Sequence, residues 1–89
     1  MKIEFSDDAI AQIEIAVDYY NSISEWLGNY MLDDLDEALS IIISSRLIFQ
    51  VRYSKVRLVH LNKFPYSIHF EVFEKRVEVY KFLHQKQYG

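Results

Sequence analysis

Apolar residues recur at Ile10, Ile13, Val17 and Tyr20, with Ala9, Ala16 and Ile23 alongside, which is the i, i+3, i+4 pattern of an amphipathic helix over Asp7 to Asn21. Ser6 supplies an N-cap oxygen, and Asp7 and Asp8 place negative charge at the positive end of the helix dipole. A second helical period runs through Met31, Leu35, Ala38, Leu39, Ile42 and Ile43, with Asp33, Asp34, Asp36 and Glu37 mostly on the other face. The break falls at Asn21 to Gly28, without proline or a long polar linker. The spacing therefore predicts a tight antiparallel helical hairpin with Trp26 near its corner.

After Ser45 the period shortens from about 3.6 to 2. Val56-Arg57-Leu58-Val59-His60-Leu61 is apolar on both parities, as in a strand buried on two sides. Tyr66, Ile68, Phe70 and Val72 alternate with Ser67, His69 and Glu71, which predicts one buried and one wet face. Glu74-Lys75 reads as a hairpin turn, a last strand runs from about Arg76 to Leu83, and Lys2 to Phe5 forms a first strand ahead of the helices. The expected fold is α+β, order β-α-α-β-β-β: a helical hairpin packed on one face of a small, mainly antiparallel four-stranded sheet whose last three strands form a meander. The expected core comprises Ile10, Ile13, Val17, Leu35, Leu39, Ile42, Leu58, Ile68, Phe70, Val77 and Val79.

With 89 residues the chain is read as one domain spanning 1–89, which leaves no room for separate cofactor and substrate domains. A content of 51% apolar and 16% aromatic residues is enough for a core without staples. The absence of cysteine excludes disulfides, thiolate nucleophiles and zinc-thiolate sites. No apolar stretch approaches a membrane span and the N-terminus lacks a signal-peptide core, so the chain reads as soluble and cytoplasmic.

The net charge of −3 conceals a division. Residues 1 to 45 carry Lys2 against ten acids, giving −9, whereas residues 46 to 89 carry nine bases against three acids, giving +6. Such asymmetry points either to contact between the second half and a polyanion or acidic protein, or to an acidic helix pair packed beside a basic sheet.

The only glycines are Gly28 and Gly89, so no phosphate loop or dinucleotide fingerprint can be written, and no cofactor is expected. Asp33-Asp34-Leu35-Asp36-Glu37 lacks a coordinating loop and reads as a solvated helix face rather than a metal site. Zinc would require His60, His69 and His84 to converge, which the strand parities do not indicate. His60 reads as a hydrogen-bonded structural histidine, His69 lies on the wet parity, and His84 sits at the exposed end of the last strand, best placed for function. Arg57 interrupts an apolar strand. Either it pairs with Glu71 or Glu78 of neighbouring strands, or its head emerges at a binding surface with Lys63 and Lys86.

Taken in order, Ala16-Val17-Asp18-Tyr19-Tyr20, Leu27-Gly28, Arg57 six to eight residues ahead of Phe64-Pro65-Tyr66-x-Ile68, and Val77-Glu78-Val79 leading to His84 resemble the RelE/ParE superfamily of type II toxin–antitoxin toxins, over nearly the whole chain. The Phe-Pro-Tyr segment and the Tyr-Tyr pair look more like the ParE side. The resemblance implies a plasmid-stabilisation toxin neutralised by a cognate antitoxin in a hetero-oligomer, with Arg57, Lys63, Tyr66, His84 and Lys86 as partner-binding residues. ParE-like members are described as inhibiting DNA gyrase without catalysis. RelE-like members are described as ribosome-dependent mRNA endonucleases, and for that alternative the catalytic set would be Arg57, Lys63, His84, Lys86 and Tyr88. ParE-like chains continue past the His with an Arg and a further tail, whereas Gln87 stands at the arginine position here, with Lys86 beside it. This departure implies a third alternative, an attenuated homologue that only binds a protein partner. An acidic pI near 5.5 weighs against ribosomal RNA and towards gyrase.

Overall fold

A computed structural model describes residues 2–45, 51–53 and 55–87, so Tyr88 of the nuclease set lies outside the described residues. The elements are β1 (Lys2–Phe5), α1 (Asp7–Ile23), α2 (Leu27–Ser45), β2 (Val51–Tyr53), β3 (Val56–His60), β4 (Tyr66–Val72) and β5 (Arg76–His84), followed by a 3-10 turn at Gln85–Gln87. The fold is α+β, with the helical hairpin packed on one sheet face as the periodicity indicates. The sheet has five strands in the order β1-β5-β4-β3-β2, antiparallel except for β1, which pairs parallel with β5. Beyond the four expected strands, β2 adds an edge. Three residues are too few to display an alternation, and it is their pairing with Arg57 and Val56 that makes them a strand.

Each element begins or turns for a local reason. Ser6 Oγ accepts from Ala9 N at 3.0 Å, capping α1, and donates to Tyr80 O at 2.7 Å, fastening the helix start to β5. Between the helices Trp26 takes φ 70, reversing the chain in the space of three residues. Gly28 then sits where a Cβ would lie 2.8 Å from both Val17 O and Asn21 Oδ1, so only glycine lets the first turn of α2 approach α1. Asn21 Oδ1 accepts from Gly28 N at 2.8 Å and thereby caps one of the free amides of that turn.

Strand registry assigns the two sheet faces. Val59, Ile68 and Phe82 lie across from one another and share the helix side with Tyr66, Phe70, Val77 and Val79. Against them pack Ala9 and Ala16 of α1 and Met31, Leu35, Ala38 and Ile42 of α2, all buried. Ile68, Phe70, Val77, Val79, Leu35 and Ile42 are core residues as expected, and Ile13, Val17 and Leu39 are partly buried against them. Two core expectations are corrected. Ile10 is 46% exposed, because it borders an open groove of about 300 Å³ between α1 and α2 rather than the sheet. Leu58 is only half-buried, because registry with His69 puts it on the face away from the helices.

That outer face corrects a third expectation. Ser67 and His69 are buried, at 0% and 3% exposure, rather than wet. β4 lies at the centre of the sheet, so Leu58 and His60 of β3 and Lys81 and Leu83 of β5 flank the outward side chains of Ser67 and His69. His60 Nδ1 is hydrogen-bonded to Ser67 Oγ, which gives His60 the structural part expected of it, though on an exposed residue. Burial, followed by the nearby Lys81 and His60 charges, pushes the pKa of His69 below the ordinary histidine value.

β5 carries a bulge at Tyr80, where pairing steps from Lys81 opposite His69 to Val79 opposite Phe70. The displaced backbone is satisfied from α1: Ser6 donates to Tyr80 O, and Gln12 Oε1 accepts from Phe82 N at 2.7 Å. Since β1 pairs only with Arg76 to Val79, this helix closes the edge of β5 that β1 leaves uncovered.

Candidate partner-binding site

The β3–β4 connection is shaped by one carboxylate. Asp34, 3% exposed on α2, accepts from three successive amides, Asn62 N at 3.3 Å, Lys63 N at 2.7 Å and Phe64 N at 2.9 Å. Successive amides turned toward one anion form a backbone nest, and here the anion is the protein's own. Leu61 N and Tyr66 O close the loop at 2.9 Å, and Gln85 N donates to Pro65 O at 2.8 Å, tying the loop to the end of β5. Phe64-Pro65-Tyr66 and His84-Gln85-Lys86 thus meet at one end of the sheet.

An aromatic chain runs from this end to α1. Tyr66 stacks on Phe82 with ring centroids 4.7 Å apart and meets His84 edge-on at 5.3 Å. Tyr20 packs edge-on against Phe64 at 4.9 Å and Tyr66 at 6.1 Å, and Tyr19 against Tyr20 at 5.1 Å. Burial, then the neighbouring Tyr66, raises the Tyr20 hydroxyl to about 12. Gln12, Ile15, Ala16, Tyr66, Phe82 and His84 line a cleft of about 160 Å³. Beside it Ile15, Tyr19 and Ile23 form an i, i+4, i+8 stripe along α1, exposed by 69%, 56% and 58%. Such an apolar stripe next to an aromatic cleft suits an apolar protein segment.

Of the residues singled out from the sequence, Tyr66, His84, Lys86 and the loop bearing Lys63 come together here. Lys86 N donates to His84 Nδ1 at 3.2 Å. Arg57 does not join them. It lies across from Phe70, which is four residues, or about 14 Å, along β4 from Tyr66, and β5 is a further two strand spacings away, about 10 Å. Pairing of Arg57 with Glu71 or Glu78 also disagrees with the registry. Arg57 shares the face of Phe70, whereas Glu71 stands opposite Glu78 on the other face. There Tyr80 Oη donates to Glu71 at 2.8 Å and lies 3.3 Å from Glu78, while Arg76 pairs with Glu78 at 3.7 Å. Burial and these carboxylates raise the Tyr80 hydroxyl to about 12.

Asp34 is the site residue that sequence reading missed. Grouped with its acidic neighbours it reads as solvated, yet it falls in phase with Met31, Leu35, Ala38 and Ile42, the buried side of α2. An acid in the buried phase was the available signal. Gln12 and Ile15 gave none, because their importance depends on the bulge and cleft across from them. Among the described residues, no three His, Asp or Glu side chains gather closely enough to hold a metal ion, and no helix is long and apolar enough to cross a membrane.

No family model and no curated protein matches the chain. Among solved structures, it is similar to a chain of the chromosomal ParDE TA system from P. aeruginosa, with TM-score 0.79 and 20% identity over 94% of this chain and 95% of that one. At that identity the likeness shows a shared fold, the one that the sequence resemblance implies.

Proposed function

We propose that the chain is a ParE-like toxin of a type II toxin–antitoxin pair, a plasmid-stabilisation module, held silent in a hetero-oligomer by its cognate antitoxin. The observation that carries this reading is the fold shared end to end with the ParDE chain, reached independently of the Phe64-Pro65-Tyr66 and Tyr19-Tyr20 segments that suggested it. The antitoxin's place is the sheet end and the α1 stripe: Ile15, Tyr19, Tyr66 and Phe82 supply the apolar surface, and His84, Lys86 and Lys63 the basic rim. An amphipathic segment with acidic flanks complements both. Arg57 extends the same basic half along β3 toward the other end of the sheet.

DNA gyrase in the cytoplasm is the favoured target. Ribonuclease chemistry needs a base, cations for the developing phosphorane and a proton for the leaving oxygen within reach of one phosphate. The displacement of Arg57 from His84 argues against that set acting together. The mRNA endonuclease reading retains one specific support, the meeting of His84, Lys86 and the Lys63 loop at one end of the sheet.

Expression of the chain alone, with DNA and mRNA both examined, decides between them. Growth arrest with DNA damage or loss of supercoiling and intact ribosome-bound mRNA supports gyrase inhibition. Codon-specific mRNA cuts would move the assignment to the nuclease. No growth effect, with antitoxin binding preserved, would identify an attenuated homologue. Failure of the neighbouring gene's product to associate on co-expression would remove the toxin–antitoxin reading altogether.

A further inference from the structure

The tip of the helical hairpin is not used by the site above. Trp26, the chain's only tryptophan, is 61% exposed and is also the only non-glycine residue among those described with a positive φ, at 70°. A left-handed backbone is costly for a bulky side chain and costs glycine nothing, so the turn by itself gives no reason for tryptophan. Strain retained at an exposed aromatic residue is characteristic of a binding position. Trp26 lines a cleft of about 360 Å³ with Asn21, Glu25 and Asn29, none of which lines the cleft at Tyr66. Asn21 is held in place by its bond from Gly28 N, and Tyr30, one turn along α2 from Trp26, is 62% exposed.

The charge around this cleft selects its occupant. Glu25 is its one charged lining residue, and residues 3 to 45 contain no Lys or Arg. Such a surface repels nucleic acid and anionic lipid and attracts cations. An indole face beside a carboxylate suits a guanidinium, which can stack on the ring while its edge donates to the acid. We infer that the hairpin tip is a second protein-docking site, in which Trp26 and Glu25 receive an arginine side chain of a partner segment and Tyr30 takes an apolar neighbour of that arginine. Its cleft shares no lining residue with the one at Tyr66, and its test does not require the chain to be toxic.

Because Trp26 is the sole tryptophan, its fluorescence reports occupancy directly. The full chain would be titrated with a helical peptide bearing arginine and leucine on one face. Controls are the same peptide with citrulline for arginine, one with glutamate for arginine, single-stranded DNA and phosphatidylserine vesicles. The expected result is a saturable blue shift with the arginine peptide alone, weakened by salt. With a labelled peptide, Trp26→Gly should weaken binding about tenfold and Glu25→Gln about threefold. Glycine relieves the positive φ, so Trp26→Gly should melt no lower than the parent, and a loss of binding then cannot be blamed on unfolding. Binding of the arginine peptide to Trp26→Gly at parental affinity, equal binding of the citrulline peptide, a shift with glutamate peptide, DNA or vesicles, or no shift at all would each overturn the inference.

Discussion

Replacing Asp34 removes the only acceptor that three consecutive loop amides share. Two of the bonds are short, 2.7 Å to Lys63 N and 2.9 Å to Phe64 N, and the third, 3.3 Å to Asn62 N, is weaker. Hydrogen bonds to a charged acceptor contribute about 1.5–3 kcal/mol each. Asn62 and Lys63 are exposed, so water partly replaces the carboxylate at the loop, and Asp34→Ala should cost about 3 kcal/mol rather than the full sum. Asp34→Asn keeps one oxygen and should cost about 1–2 kcal/mol. A chain of this length is expected to hold about 4–13 kcal/mol in total, so the Ala variant remains foldable but weakened. Urea unfolding followed by circular dichroism measures the difference, and a melting point lower by roughly 12–24 °C should accompany it. The Phe64-Pro65 loop would loosen with it, and on the proposed reading the affinity for an antitoxin segment should fall because Tyr66 and His84 lose their common support. A cost below about 0.5 kcal/mol for Asp34→Ala, or a gain in stability for Asp34→Leu, would refute the reasoning, since the carboxylate's bonds would then not offset its burial.

Further predictions concern packing and protonation. Ile42→Ala, at a residue with 0% exposure, should cost about 2–5 kcal/mol, whereas Ile10→Ala, at 46% exposure, should cost less than about 1 kcal/mol; paired denaturant melts compare them. Gly28→Ala drives a methyl group into the Val17 carbonyl and should cost about 1–3 kcal/mol, visible as a lower urea midpoint with unchanged slope. His69 has a folded pKa below its ordinary 6.5, so the unfolded chain binds the proton more readily. Its contribution to stability is therefore full above about pH 6.5 and declines as pH falls toward the folded value, by at most about 1.4 kcal/mol per pH unit. His69→Gln should flatten that part of a stability–pH profile, measured by urea melts between neutral and mildly acidic pH.

Much of the fold was legible because it rests on local periodicities. The 3.6-residue recurrence of Ile13, Val17, Met31, Leu35 and Ile42 and the two-residue alternation of Ile68, Phe70, Val77 and Val79 each describe one face turned to one core. Ser6 with its following acids marked the start of α1, and the lack of a linker around Trp26 marked the hairpin. Of the candidate site, the Phe64-Pro65-Tyr66 and His84-Lys86 segments were recognisable as chemistry but not as neighbours. Their meeting depends on the β4–β5 registry, which the bulge at Tyr80 shifts by one residue to set Tyr66 opposite His84, and is fastened by the bond from Gln85 N to Pro65 O.

The sequence by itself determined the elements, their order and which helix faces turn inward, because those follow from side-chain spacing within each segment. Only the tertiary structure decided what happens between segments. It made a three-residue edge strand of Val51–Tyr53, covered Ser67 and His69 with flanking strands, and placed a bulge at Tyr80 that Ser6 and Gln12 must satisfy. It also turned Asp34 from one acid in a charged run into the anchor of a loop. The physical reason is the same in each case: burial and hydrogen-bond partners on the outer sheet face and in loops are set by strand order and registry, which depend on contacts between distant residues and leave no periodic trace in the chain.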